Sequence, residues 1–145
     1  MKTICVVVVL LFLAGPRTEA QWSGVDSGTA NDLRGVYLLD SGVGYSVGDS
    51  GTILKSTDAG MTWNALTSGT TKALYDVYFF NDTEGVVVGD GGLILRTTDG
   101  GANWTTVASG VRDGLRSVSF SGVNGICGGG GFLWGTCGER RGRSH

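Results

Sequence analysis

Carboxylates that could do chemistry are plentiful in this sequence, whereas histidine is nearly absent. The 145 residues include 13 acidic side chains but a single histidine, His145, at the C-terminal end. A Ser–His–Asp triad needs a histidine as its general base, and most zinc sites need histidine or several cysteines. We therefore expect no catalytic triad, no metal and no cofactor.

Paired carboxylates could instead hydrolyse glycosidic bonds. Four of the aspartates, however, recur at matching positions 41 residues apart, with Asp49 matched by Asp90 and Asp58 by Asp99. Recurrence at turns is what a structural role predicts, because an aspartate side chain accepts hydrogen bonds from the backbone of its own turn. We predict that the protein is not an enzyme.

The aspartates Asp58 and Asp99 belong to a repeated stretch with the pattern S/T-x-D-x-G-x-x-W, at residues 56–63 and 97–104. Glycine supplies a positive φ in such a turn, and the tryptophan that follows can bury its ring against a sheet. The pattern resembles the Asp-box, or BNR repeat, of β-propellers. Its structural residues would be Ser56, Asp58, Gly60, Trp63, Thr97, Asp99, Gly101 and Trp104.

Three repeats organise the chain. Residues 27–67 and 68–108 share 17 identities without a gap, and a degenerate third repeat covers 109–138. A period near 41 residues is typical of a four-stranded propeller blade. Residues 139–145 are polar and predict a disordered tail. Glycine is abundant, at 27 residues, but one proline and no G-X-Y period exclude collagen.

Each repeat divides into four short strands separated by glycine-containing turns. The predicted first strands are 33–39, 74–80 and 115–120, and the second are 44–48 and 85–89. The third strands are 52–56 and 93–97, and the fourth begin at the repeated tryptophans. No stretch after residue 20 has a helical period, so we predict an all-β fold. Its β-propeller-type blades would each have four antiparallel strands, with two full blades and a degenerate third in an incomplete ring.

The full repeat unit, L-R-x-V-x-[LF]…G-x-x-V-G-D-x-G-x-I-L-[KR]-[ST]-T-D-x-G-x-x-W, is specific. It resembles the photosystem II stability and assembly factor family and its secreted relatives, over residues 27–134. The resemblance implies a non-enzymatic binding scaffold with a protein partner, although family members have about seven blades. Two alternatives remain open, a fragment of a secreted, sialidase-like glycoside hydrolase and a non-functional truncated product. Open blade faces would also favour self-association.

The N-terminus predicts export. A basic Lys2, eleven apolar residues from 4 to 14 and small residues before position 21 are typical of a signal peptide at 1–20. Because the apolar run is too short to span a bilayer, we expect no membrane span after cleavage and a secreted, lumenal or periplasmic protein. Cleavage would leave nine basic and twelve acidic residues, a balance that argues against nucleic acid as a partner.

Export also bears on the cysteines and on two asparagines. In an oxidising compartment Cys127 and Cys137 could form a disulfide, although two free thiols remain an alternative. Asn81 and Asn103 begin N-x-T sequons for N-glycosylation.

Three residues at one repeat position, Arg34, Tyr75 and Arg116, suggest a partner-binding rim. The family resemblance makes their strand the innermost, so that the three side chains would converge on the central channel. Two interpretations remain open. The arginines could bind an acidic peptide or protein, or they could form structural ion pairs with acids of the repeats such as Asp49 and Asp90.

Overall fold

The computed structural model describes residues 3–6, 23–122, 124–130 and 132–135. Within these ranges nearly all regular structure is β-strand, and the predicted all-β class is confirmed. In chain order the strands are β1 (Thr3–Val6), β2 (Ser23–Asp26), β3 (Leu33–Leu38), β4 (Gly44–Gly48), β5 (Ile53–Ser56), β6 (Asn64–Leu66), β7 (Leu74–Phe79), β8 (Gly85–Gly89), β9 (Ile94–Thr97), β10 (Thr105–Val107), β11 (Ser117–Ser121), β12 (Asn124–Gly129) and β13 (Phe132–Gly135).

The strands form three propeller-type blades in an open arrangement. Blade 1 is an antiparallel sheet in the order β3-β4-β5-β6, and blade 2 repeats it as β7-β8-β9-β10. Blade 3 contains β11-β12-β13 within the described residues. Among the first strands, β7 contacts both β3 and β11, so the three are the inner strands, as the family resemblance implied.

The N-terminal strands β1 and β2 form a separate antiparallel pair, with Ile4 opposite Val25. Strand β2 lies 41 residues before β6, and Trp22 stands 41 residues before Trp63. Strand β2 is therefore the counterpart of a fourth strand, and it lies before the first of the predicted repeats. The predicted signal peptide and tail fall mostly outside the described residues and stay predictions.

The turns between second and third strands are short 3-10 turns at Asp49–Gly51 and Asp90–Gly92. Each contains two consecutive residues of positive φ, Ser50 and Gly51 in blade 1. A Cβ on Gly51 would collide with the carbonyl oxygen of Thr70, which arrives from the next blade, and Gly92 meets Val111 in the same way. Glycine at this position therefore permits neighbouring blades to approach.

Two apolar clusters lie between the blades and form the core. Tyr45, Val47 and Ile53 of blade 1 pack with Val77 and Phe79 of blade 2 in the first. The second cluster joins blade 2 to blade 3, and its buried members are Val86, Val88, Ile94, Leu115, Val118 and Cys127. The core is therefore made by blade faces pressed together. Among the described residues no helix is long and apolar enough to cross a membrane.

Candidate partner-binding rim

Two of the three rim residues stand at an irregularity that the inner strands β3 and β7 share. In β3 the register with β4 shifts between Leu33 and Gly35, which leaves Arg34 as the extra residue. In β7 it shifts between Leu74 and Asp76, which leaves Tyr75 in the same position. Such bulges redirect a side chain away from the regular alternation of the strand, and the alternating sequence pattern gave no sign of them.

Close contact between the inner strands brings the rim residues of adjacent blades together. A Cβ on Gly35 would lie 2.9 Å from both the Cα of Asp76 and the carbonyl oxygen of Tyr75. Asp76 in turn fastens β7 to β11, because its Oδ2 accepts the N–H of Val118 at 2.9 Å and the hydroxyl of Ser117 at 3.3 Å. Sequence reasoning did not single out Asp76, although it stands next to Tyr75.

The aromatic ring of Tyr75 lies between the two arginines. The Cζ of Arg34 is 5.7 Å from the ring centroid, and the Cζ of Arg116 is 4.9 Å from it. These distances are within the range of cation–π attraction. The structure therefore brings together all three residues that the repeat position predicted.

The two arginines differ in their acidic partners. Arg34 forms a bidentate pair with Asp49, with Nε to Oδ1 at 2.5 Å and Nη2 to Oδ2 at 2.8 Å. The hydrogen bond with Asp49 raises the pKa of Arg34 above its ordinary value. Both side chains are partly exposed. Arg34 thus has the ion pair that the structural interpretation required.

Arg116 forms no ion pair with any residue in the described part of the chain, and it is exposed. Its own blade lacks the acid, since Gly130 follows the second strand at the position that Asp49 and Asp90 occupy in blades 1 and 2. The Arg116 backbone N–H donates to the carbonyl oxygen of Gly128 at 2.7 Å, which fixes the start of the strand. Its guanidinium can therefore donate hydrogen bonds to a carboxylate of another molecule.

The first box turn uses its carboxylate within the turn. Ser56 Oγ donates to Asp58 Oδ1 at 2.8 Å and accepts the N–H of Gly60 at 2.8 Å. Asp58 also accepts the N–H of Thr62 at 2.9 Å and the Thr62 hydroxyl at 2.5 Å. These bonds, led by the Thr62 hydroxyl, lower the pKa of Asp58 from 3.8 to about 2.

The second box turn repeats this network with an amide in place of a hydroxyl. Thr97 Oγ1 donates to Asp99 Oδ1 at 2.8 Å and accepts the N–H of Gly101 at 2.9 Å. Asn103 donates to Asp99 through its backbone N–H at 2.9 Å and its side-chain amide at 2.8 Å. The hydrogen bond from the side-chain amide of Asn103 is the main cause that lowers the pKa of Asp99 to about 2. Both carboxylates are thus held by donors of their own turns.

The two box tryptophans differ in their indole N–H groups. Trp63 Nε1 donates to the carbonyl oxygen of Gly60 at 3.0 Å. Trp104 packs edge-on against Phe79, with ring centroids 6.2 Å apart, and its buried Nε1 has no hydrogen-bond partner among the described residues. The contribution of Trp104 is therefore apolar packing.

The remaining predicted positions are dispersed over the surface and the core. Asn81 is exposed, and its Oδ1 accepts the backbone N–H groups of Thr83 and Glu84 at 2.9 Å each. Asn103 is exposed but bonded to Asp99. Cys127 is buried and disulfide-bonded, whereas Cys137 lies outside the described residues, so that the predicted pairing stays a prediction. No group of three potential metal ligands occurs in the part of the chain that the structure describes.

The family described as photosynthesis system II assembly factor YCF48 matches residues 15–112 and 63–136. A solved structure described as YCF48 bound to D1 peptide has a TM-score of 0.66 and 20% sequence identity, covering 83% of this chain and 45% of that one. YCF48 from Cyanidioschyzon merolae has a TM-score of 0.63 and 18% identity, covering 81% and 39%.

The chain thus spans less than half the length of both solved relatives. At these identities the likeness establishes the propeller fold. No curated protein matches the sequence.

Proposed function

Because the chain belongs to the photosystem II assembly factor YCF48 family, we propose that it is a non-enzymatic protein-binding module. Its ligand is an acidic peptide segment that binds at the rim of Arg34, Tyr75 and Arg116. One solved relative carries a D1 peptide, which supports a peptide as the class of ligand. For this chain the proposal depends on the rim itself.

The exposed guanidinium of Arg116 is the observation that carries the proposal. Arginine binds a carboxylate through two parallel hydrogen bonds, and Arg116 has no such partner among the described residues. Tyr75 beneath it, at 4.9 Å, holds the guanidinium in place and offers an apolar surface to a peptide. Arg34 is already paired with Asp49, so its charge is largely satisfied.

Turnover is not part of the proposed function. The box carboxylates Asp58 and Asp99 each accept several bonds within their own turns. Their lowered pKa values keep them ionised, so neither could serve as a general acid near neutral pH. No contact within the described part of the chain favours the sialidase-like alternative.

The test measures binding of two fluorescein-labelled peptides, a D1 peptide and a glutamate-rich decapeptide, by fluorescence anisotropy at low and high salt. Arg116→Ala should weaken binding of the acidic peptide by about tenfold or more and reduce its salt dependence, with an unchanged thermal midpoint. Arg112→Ala, which removes an exposed arginine outside the rim, is the matched control. Equal losses in both variants, or none in Arg116→Ala, would contradict the proposal.

Arg34→Ala separates the binding role from the structural one. If Arg34 serves mainly the Asp49 pair, this substitution should lower the thermal midpoint and change peptide affinity less than Arg116→Ala does. Both guanidinium groups contact the ring of Tyr75, so any departure of the double variant from the sum of the two single effects measures coupling through that ring.

We also propose that the chain is exported, which would place the binding module in a lumenal, periplasmic or extracellular space. Expression in a secretion-competent host followed by N-terminal sequencing tests this. A mature protein that begins at Gln21 supports export, and a cytosolic product that keeps Met1 contradicts it.

A further inference from the structure

One face of blade 1 exposes side chains whose counterparts in blade 2 are buried. Val36 and Leu38 are 61% and 55% exposed. The residues 41 positions later, Val77 and Phe79, are 3% and 1% exposed because they pack against blade 1. The same type of face is therefore covered in blade 2 and uncovered in blade 1.

The opposite face of blade 3 shows the complementary pattern. Strand pairing places Tyr45, Val86 and Ile126 at equivalent positions, opposite Tyr37, Tyr78 and Ser119 respectively. Tyr45 and Val86 are 0% and 5% exposed in the two blade interfaces, whereas Ile126 is 53% exposed. In blades 1 and 2 this face packs against the following blade, whereas in blade 3 the same face is exposed.

These two kinds of face already meet twice within the chain. Tyr45 of blade 1 stacks directly on Phe79 of blade 2. Val86 of blade 2 belongs to the cluster against which Phe120 of blade 3 packs. A third interface of the same kind would place Ile126 against Leu38, and because both side chains are exposed in one copy, it would have to form between two copies of the chain.

We propose that blade 3 of one copy packs against blade 1 of a second copy, with Ile126 of the first contacting Leu38 of the second. The interface is heterologous, joining two different surfaces, so its repetition forms either a ring or an open chain. Two copies contribute six blades, which lies within the range of about four to eight that close into a propeller. A closed pair of copies is therefore the expected assembly.

The inference does not depend on the peptide rim, since Val36, Leu38 and Ile126 lie on blade faces and Arg116 lies at the strand end.

The experiment measures the mass of the whole chain in solution by light scattering over a range of concentrations. Leu38→Asp removes one face of the interface, and Ile126→Asp removes the other. Met61→Asp, at an equally exposed apolar residue in the first box turn, is the matched control.

Each single face variant should be monomeric, with its dissociation constant raised by more than about tenfold, while Met61→Asp should associate like the unmodified chain. Mixing Leu38→Asp with Ile126→Asp should then produce a one-to-one pair and nothing larger, because one intact face of each kind remains. Thermal melts of both variants should stay cooperative, since the substituted side chains are exposed.

Three results would overturn the inference. The unmodified chain could be monomeric at every concentration, in which case the faces accept a further blade or another protein. The mixture of face variants could remain monomeric, which would exclude a head-to-tail interface. Met61→Asp could reduce association as strongly as the face variants, which would indicate non-specific adhesion of exposed apolar side chains.

Discussion

The ring of Tyr45 lies on the ring of Phe79, with centroids 3.6 Å apart and planes 7° from parallel. The two residues belong to different blades, and both are fully buried. The Tyr45 hydroxyl donates to the carbonyl oxygen of Gly100, in the second box turn, at 3.0 Å. Burial raises the pKa of Tyr45 to about 12. One side chain thus connects the inter-blade core to a turn of the next blade.

Tyr45→Phe should cost about 0.5–1.5 kcal/mol of unfolding free energy, at the lower end of that range. The reason is that Lys55 Nζ also donates to the Gly100 carbonyl, at 2.9 Å, and keeps it satisfied. Tyr45→Ala removes the stacking partner of Phe79 as well and should cost about 3–5 kcal/mol. Urea unfolding of both variants checks the difference, and equal losses would show that the hydroxyl carries the interaction.

Gly51→Ala should destabilise the chain much more than Gly69→Ala does. Both residues have positive φ, 70° and 75°, so both substitutions carry the same backbone strain. Only at Gly51 would the new methyl group strike the Thr70 carbonyl, whereas nothing lies within 4 Å of it at Gly69. The difference between the thermal midpoints of the two variants therefore measures the effect of the close approach between blades alone. Similar midpoints would contradict that contact between blades.

The box turns should make stability fall in acid. Asp58 and Asp99 have folded-state pKa values of about 2, below the ordinary value of 3.8. A lowered pKa means that their contribution is fully present above pH 3.8 and is lost as the pH falls toward 2. Thermal midpoints between pH 5 and 2 should therefore drop, and the drop should be smaller in the Asp58→Asn, Asp99→Asn variant. An identical slope in that variant would contradict the assignment.

Trp63→Ala should lower the unfolding free energy by about 3–5 kcal/mol, the usual cost of deleting a large packed aromatic side chain. Its indole lies 3.3 Å from the position of a Cβ on Gly44 and donates a hydrogen bond to Gly60. Asp58→Ala should also destabilise the turn, and neither variant should change peptide binding at the rim. Urea unfolding and anisotropy on the same samples provide the check, and an unchanged midpoint for Trp63→Ala would contradict a structural role.

The sequence predicted the fold because the repeats are regular, and the predicted strand limits in blades 1 and 2 lie within one residue of the observed ones. The second strands 44–48 and 85–89 were predicted to the residue, since glycine marks both ends of each. In the degenerate repeat β11 begins at Ser117, two residues later than expected, because Leu115 and Arg116 bond individually to Gly89 and Gly128. The counterpart strand Ser23–Asp26 was missed although Trp22 has the spacing of the other tryptophans.

The rim was only half predictable. A shared repeat position indicated that Arg34, Tyr75 and Arg116 would converge, but the bulges that direct the first two leave no trace in the alternation of apolar residues. The sequence does contain the reason why only one of the two arginines forms an ion pair. The third repeat has lost its turn aspartate, with Gly130 at that position, which explains why Arg34 is paired and Arg116 is not.

In a single unassociated copy, the described residues give blade 2 a neighbour on each of its faces, while blades 1 and 3 each have one. In a linear array of this kind, stability is close to a sum of unit terms and nearest-neighbour coupling terms, so opening begins at the units with fewer couplings. Backbone amides of β7, β8 and β9 should therefore exchange with solvent hydrogen most slowly, and those of β3 and β12 should exchange earlier through partial opening. The rim extends over blades that differ in this expected exchange rate, with Arg34 in an end blade and Tyr75 in the central one. Ligand bound there would slow exchange in the outer blades more than in the middle one.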